Sequence, residues 1–181
     1  MEIDLFENIP EIKIGDYLLT KITQVDKEYI FKSLSNPEII KFYGVNYKTF
    51  EETQIQMDWY DGLIKNKTGI WWKILLNENP IGALGFYFYS PIHQNAEIGY
   101  WINPEYQGKG ILSFIMPKWL NSLKAIMPLH RIEAIVETEN KASSNLLLKC
   151  GFKSEGIKKE AEIKNQEYID LEYFAKIWKE N

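Results

Sequence analysis

Apolar positions follow two periods along the chain, and the switches between them mark the elements. Tyr17-Leu18-Leu19-Thr20-Lys21-Ile22 reads as a first strand. Asp26–Leu34 predicts a short helix that stops near Asn36-Pro37, because the residue before a proline avoids the helical region. Ile55, Trp59, Leu63 and Ile64 recur at helical spacing and predict a second helix from Phe50 to Lys65. Gly69–Leu76 and Ile81–Tyr89 read as strands joined by the turn signal Asn77-Glu78-Asn79-Pro80. A loop around Ser90-Pro91-Ile92-His93 leads to a further strand, Ala96–Ile102.

The helix opening at Ile111 carries Leu112, Ile115, Met116, Trp119, Leu120 and Leu123 on one face, which packs on a sheet. Pro117 lies inside it, removes a hydrogen bond to Ser113 and predicts a bend or a shortened helix. Arg131–Val136 alternates with period two. Asn140–Cys150 is a compact helix closed by Gly151 in the left-handed cap position. Lys153–Ile163 and Glu167–Ala175 form a final hairpin turning at Lys164-Asn165-Gln166. The order is strand, two helices, three strands, helix, strand, helix, two strands. That order specifies an α/β or α+β domain with one mixed sheet.

With 181 residues and no repeat, low-complexity tract or linker, the chain reads as one domain over residues 1–181. A net charge of −4 argues against a general nucleic-acid binder. No apolar run approaches a membrane span, and the acidic start Met1-Glu2-Ile3-Asp4-Leu5-Phe6-Glu7 lacks a signal-peptide core. The single cysteine, Cys150, excludes an internal disulfide and suits a reducing compartment, so the expected location is cytoplasmic. It falls on the apolar side of its helix and reads as a packed thiol. His93 and His130 are the only histidines, with no ligand spacing around them, and no metal site is expected.

The chemistry concentrates between Ala96 and Leu112. A strand there feeds the loop Gln107-Gly108-Lys109-Gly110, and a helix opens at Ile111. Such a loop stacks backbone N–H groups at a helix N-terminus, where the partial positive charge favours a phosphate. Gly108 and Gly110 have no Cβ to block an anion and are free to adopt φ > 0, while Lys109 adds a positive charge. The reading is a pyrophosphate cradle. A nucleotide P-loop is excluded, because Ile111 follows Gly110 where Lys is required. A Rossmann fingerprint fits poorly, with Ser113 in the third glycine position.

Gln107-Gly108-Lys109-Gly110-Ile111-Leu112 resembles the acetyl-CoA signature of GNAT N-acetyltransferases, with Leu112 standing where the broad signature has Gly or Ala. Asn140 and Ser143, followed by Gly151-Phe152, resemble that family's second motif. Glu97-Ile98-Gly99-Tyr100-Trp101 and Glu155-Gly156 are similar to the RimJ/RimL branch, whose members acetylate the N-terminal amine of ribosomal proteins. The resemblance is close over residues 80–175. It implies a GNAT-like single domain, with a mixed, mostly antiparallel sheet of about seven strands flanked by about four helices. It also implies acetyl-CoA as donor, a primary amine as acceptor, and direct transfer in a ternary complex.

By the same resemblance, Tyr100, Trp101 and Ile102 run beside the pantetheine arm, and Gln107, Gly108, Lys109, Gly110, Ile111, Leu112 and Ser113 hold the pyrophosphate. Asn140 reaches the pantetheine from the far side, a role compatible with capping its helix. Ser143 is the candidate proton donor to the departing thiolate; the alternative is a first-turn serine bonding nearby backbone. Two glutamates compete for the general base, Glu162 and Glu97, each of which also reads as a solvated or paired sheet residue. Trp59, Tyr60, Trp71, Trp72, Tyr87 and Tyr89 supply core, and some of them an acceptor groove between the second helix and the final hairpin. Glu51-Glu52, Asp58 and Asp61 give that helix an acidic side, read as attraction for a cationic acceptor or as a solvated face. The acceptor is a protein N-terminus, with a small amine (antibiotic, polyamine or amino acid) as the alternative; a non-catalytic acyl-CoA-binding module is the rival of another class. Neither nucleic acid nor membrane is an expected partner, and the chain is expected to be a monomer or homodimer.

Overall fold

A computed structural model of the chain describes residues 4–178. Met1–Ile3, the start of the acidic N-terminal run, lie outside them. Eight strands form one sheet in the order β1-β2-β3-β4-β5-β6-β8-β7. They are β1 (Ile12–Ile14), β2 (Tyr17–Lys21), β3 (Ile70–Leu76), β4 (Asn79–Ser90), β5 (Asn95–Ile102), β6 (Arg131–Glu137), β7 (Lys153–Lys164) and β8 (Glu167–Ile177). The helices are α1 (Lys27–Leu34), α2 (Pro37–Ile40), α3 (Gln54–Lys65), α4 (Ile111–Ile126) and α5 (Lys141–Lys149). Every neighbouring pair is antiparallel except β5–β6, which α4 connects as a parallel crossover.

Strand alternation splits the interior into two cores. Trp72, Ile74, Leu84, Phe86 and Ile98 face Ile115, Met116, Trp119, Leu120 and Leu123 of α4 and Leu147 of α5. On the other face Trp71, Ala83 and Trp101 lie under Ile30 and Leu34 of α1 and Met57, Tyr60 and Leu63 of α3. Two hairpins turn on left-handed pairs, Asn77-Glu78 (φ 49° and 65°) and Asn165-Gln166 (φ 51° and 68°). Paired positive φ values give the primed turn whose twist matches the strands.

Four details depart from the sequence-based expectations. The sheet has an eighth strand, β1, only three residues long and too short to show a period. Asn36-Pro37 ends one helix and starts another: Asn36 Oδ1 accepts the N–H of Glu38 at 2.9 Å, and Pro37 occupies the first turn of α2, where a missing N–H costs nothing. Helix α4 runs through Pro117 for 16 residues and is neither shortened nor interrupted. On α3 the buried stripe is Gln56, Met57, Tyr60 and Leu63, whereas Ile55 and Trp59 are 67% and 38% exposed. The apolar period there is real, but part of it faces a cleft and not the core.

Trp71 sits on a glycine pair. Gly85 and Gly99 are opposite one another on β4 and β5, and Trp71 is opposite Gly85 on β3. A Cβ on Gly99 would lie 2.7 Å from Trp71 Cη2, and one on Gly85 would fall inside the indole. Gly85→Ala should therefore lower the unfolding free energy by about 1–3 kcal/mol, the usual cost of overpacking, as read by urea denaturation. An unchanged midpoint would show that the indole does not depend on the missing side chains.

Candidate active site

Strands β5 and β6 pair only from Asn95 to Glu97 against Arg131 to Glu133, and then part. Beyond that point β5 stays bonded to β4 as far as Ile102, and β6 to β8 as far as Glu137. The backbone groups of β5 that point toward β6 past Glu97 therefore have no strand partner, which leaves an open strand edge inside the protein. A cleft of about 1220 Å³ occupies the split. Its donor-side walls come from Tyr100, Ile102, Ile111, Asn140 and Ser143, and its other walls from Tyr43, Trp59, Trp71, Tyr87 and Trp101.

The glycine loop closes one end. After a single 3-10 turn at Pro104–Tyr106, Gln107 N–H bonds the Pro104 carbonyl at 3.1 Å, and its side-chain amide donates to the Ile102 carbonyl at 3.2 Å. Gly108 and Gly110 take φ of 70° and 74°. Among the described residues none of the N–H groups from Gly108 to Ser113 finds a protein acceptor; the first bond of the helix is Phe114 N–H to Gly110 O at 3.0 Å. Six consecutive free donors at a helix N-terminus form an anion site by construction. A Cβ on either glycine would meet nothing within 4 Å, so their left-handed φ, not crowding, is what calls for glycine there. Gln107, Gly108, Gly110, Ile111, Leu112 and Ser113 all line the cleft. Lys109 does not; its amine lies 5.3 Å from the centre of the Tyr106 ring.

Across the split, Asn140 caps α5 by accepting Ser143 N–H at 3.2 Å. The Ser143 hydroxyl bonds Tyr100 OH at 2.6 Å rather than local backbone, and this contact bridges β5 to α5. Burial pushes the Tyr100 phenol well above its ordinary pKa, against a smaller opposing effect of the Ser143 bond. Cys150 is 3% exposed, outside the cleft walls, with its thiol pKa raised by burial, as a packed thiol requires.

On the opposite face the cleft has aromatic walls. Trp71 stacks on Trp101 with centroids 5.5 Å apart, Trp59 meets Tyr87 edge-on at 5.8 Å, and Tyr43 meets Trp101 edge-on at 5.5 Å. Tyr60 and Trp72 are buried away from it. Behind Tyr87 stands Glu97, whose carboxylate accepts the Tyr87 hydroxyl. Burial, together with the neighbouring Glu133, raises the Glu97 pKa, and the Tyr87 bond opposes the rise. Glu162 is placed differently. It is exposed on β7 opposite Ile169, on the face of Glu97, Ile135 and Glu137 by register; neither Glu162 nor Glu97 lines the cleft itself, and only Glu97 reaches it, through Tyr87. The hairpin closes no groove with α3 as expected; the wall there is the 41–47 loop, including Phe42, Tyr43 and Tyr47. Neither that loop nor Glu137 stood out in the sequence, since irregular backbone has no period. The acidic residues of α3 are a solvated face: Asp58 and Asp61 bond Gln54 and Gln24. Among the described residues no group of three or more His, Cys, Asp or Glu side chains is placed to hold a metal. Nor, among the described residues, is any helix long and apolar enough to cross a membrane.

Two measurements test this geometry. Asn140→Ala should cost about 1 kcal/mol in urea denaturation through loss of the cap, and no change would mean that the cap is not holding α5. Glu97 makes stability fall with pH. Its folded pKa is raised, so its contribution is complete below the range of a free glutamate and fades as pH rises through the raised value. Glu97→Gln should flatten the decline in unfolding free energy upward from about pH 4; parallel curves would contradict it.

Residues 17–153 match the acetyltransferase (GNAT) domain family. An uncharacterized N-acetyltransferase of Bacillus subtilis, YoaA, is 33% identical over 169 residues, covering 92% of this chain and 96% of that protein. The ribosomal-protein-serine acetyltransferase of Escherichia coli is 32% identical over 104 residues, 58% of each chain. Among solved structures, RimL, a ribosomal α-N-protein acetyltransferase in complex with coenzyme A, superposes with TM-score 0.85 at 22% identity, covering 93% of this chain and 98% of its own. A spermidine N-acetyltransferase from Vibrio cholerae with CoA and spermine gives 0.81 at 25%, covering 90% and 96%. The split sheet, the glycine loop at the head of α4 and these matches have one meaning: the chain belongs to the GNAT acetyltransferase family.

Proposed function

We propose that this N-acetyltransferase acts as a single domain over residues 1–181, in the cytoplasm, and moves an acetyl group from acetyl-CoA to the N-terminal amine of a protein, a ribosomal protein being the first candidate. The amine attacks the thioester directly in a ternary complex. One observation carries the reading: the split between β5 and β6 opens on both faces of the sheet, so two substrates can meet end to end.

Each half has matching chemistry. The six free amides from Gly108 to Ser113 suit a pyrophosphate, held with Gln107 and the helix opening at Ile111 and Leu112. The open edge of β5 at Tyr100, Trp101 and Ile102 suits the two amides of a pantetheine arm, with Asn140 facing it. Bound acetyl-CoA supplies the acyl group and a thiolate as leaving group. Ser143 gives that thiolate a proton as it takes one from the Tyr100 hydroxyl, which solvent then restores. Tyr100 also holds the serine in place through the 2.6 Å bond between their hydroxyls.

An ammonium must lose a proton before it attacks. Glu97 is the better base of the two glutamates. Its raised pKa suits proton uptake, and the Tyr87 oxygen can accept the amine proton as its own passes to Glu97. Glu162, exposed on β7 outside the cleft walls, is the alternative base and would act through water. RimL is a ribosomal α-N-protein acetyltransferase and the Escherichia coli relative a ribosomal-protein-serine acetyltransferase, which supports a protein acceptor; the spermidine enzyme supports a small amine as the alternative.

An acceptor screen read by mass spectrometry, covering N-terminal peptides of ribosomal proteins and small amines, should give acetylated peptide as the main product. Glu97→Gln should lower kcat about 100-fold and Glu162→Gln by less, with acetyl-CoA affinity held by both. A larger loss in Glu162→Gln would move the base to the hairpin. Tight acetyl-CoA binding without turnover on any amine would identify a non-catalytic binding module.

A further inference from the structure

Lys164, at the tip of β7, reaches away from its own hairpin. Its amine donates to the Glu137 carboxylate and to the Lys41 carbonyl, and lies 5.7 Å from the centre of the Phe42 ring. The side chains of Lys164 and Glu137 are only 26% and 16% exposed. Glu137, Lys41 and Phe42 all line the cleft, on the face of the aromatic walls. A carboxylate, a backbone carbonyl and an aromatic face are the partners an alkylammonium ion takes: two acceptors for its N–H groups and a negative ring surface beside them. Lys41 Nζ itself lies 5.1 Å from the same ring, so a second positive charge stands at the rim.

We infer that Glu137, the Lys41 carbonyl and Phe42 form an ammonium subsite at the acceptor mouth, and that Lys164 fills it from within the chain. The inference rests on the proposal that an amine acceptor enters the aromatic-walled arm. An acceptor carrying a second ammonium must either displace Lys164 or leave its own charge facing Lys41 and Lys164. An acceptor whose only charge is the reacting amine meets no such obstacle. Lys164 is therefore a specificity-determining residue that turns the site against polyamines and N-termini followed by a basic side chain. This is selection by repulsion more than by attraction.

Matched acceptors that differ by one ammonium test this: 1,4-diaminobutane against 1-aminobutane, and a peptide with lysine against norleucine at its second position. In Lys164→Met the ratio of kcat/KM for the dication to that for the monocation should rise about tenfold over the starting protein. Lys164→Arg should keep the original ratio. Adding Glu137→Gln to Lys164→Met should abolish the gain, since a vacated subsite without its carboxylate has no use for a cation. An unchanged ratio in Lys164→Met, or a gain that survives Glu137→Gln, overturns the inference. Calorimetric binding of 1,4-diaminobutane to the CoA-loaded proteins reads the subsite without turnover: tighter binding to Lys164→Met supports it, and equal binding sinks it. Failure of every amine to be acetylated, by the starting protein and the variants alike, counts against the acetyl-transfer reading, and the calorimetry still decides the subsite.

Discussion

Three residue pairs hold the middle of this sheet together. Asn95–Glu97 against Arg131–Glu133 is the only parallel contact among the described residues, and the two halves of the sheet diverge from it like the arms of a V. Had β5 and β6 paired along their full length, the backbone groups of Tyr100 and Ile102 would be satisfied and the cleft would not exist. The antiparallel contacts on either side, β4 for β5 and β8 for β6, fix the course of each arm away from the split. On the donor side the hydrogen bond between Tyr100 and Ser143 crosses it, and on the acceptor side Lys164 links Glu137 to the Lys41 carbonyl.

The two faces of the V are built by different means. On the donor side the requirement is for backbone donors, and it is met by residues with little or no side chain: Gly108 and Gly110 in left-handed conformations at the head of α4. On the acceptor side the requirement is for shape, met by rings. Trp71 can lie flat against the sheet because Gly85 and Gly99 leave room for it, and Trp101, Trp59, Tyr87 and Tyr43 extend from there. Glycine acts in the first case through its backbone freedom and in the second through its missing volume.

How much of this was legible in the sequence divides along the same line. The donor half is contiguous: strand, loop and helix from Ala96 to Ser113, and a capped helix from Asn140, each with a local signature. Period two and period 3.6 identified the strands from β2 onward, along with α3, α4 and α5, within a few residues. The acceptor half comes from distant segments with no shared pattern. Glu137, Lys164 and the 41–45 loop meet only through the register of β6, β8 and β7, and a carboxylate such as Glu97 gives no sign in sequence of whether a tyrosine will cover it. The apolar period of α3 misled for a related reason: Ile55 and Trp59 are apolar because they line a cleft, and a period cannot distinguish a cleft wall from a core.

The strand order has a consequence for how the molecule is assembled. Strand β8 is the last among the described residues, yet it lies between β6 and β7, and it is what fixes β6 along its length. One wall of the cleft therefore waits for the final segment to arrive, while β1–β5 with α1–α4 can already be in place. Such non-local closure is slow compared with helix and hairpin formation. The donor loop thus precedes in the chain the strand that fixes the opposing wall, and the binding site is complete only once β8 has paired with β6.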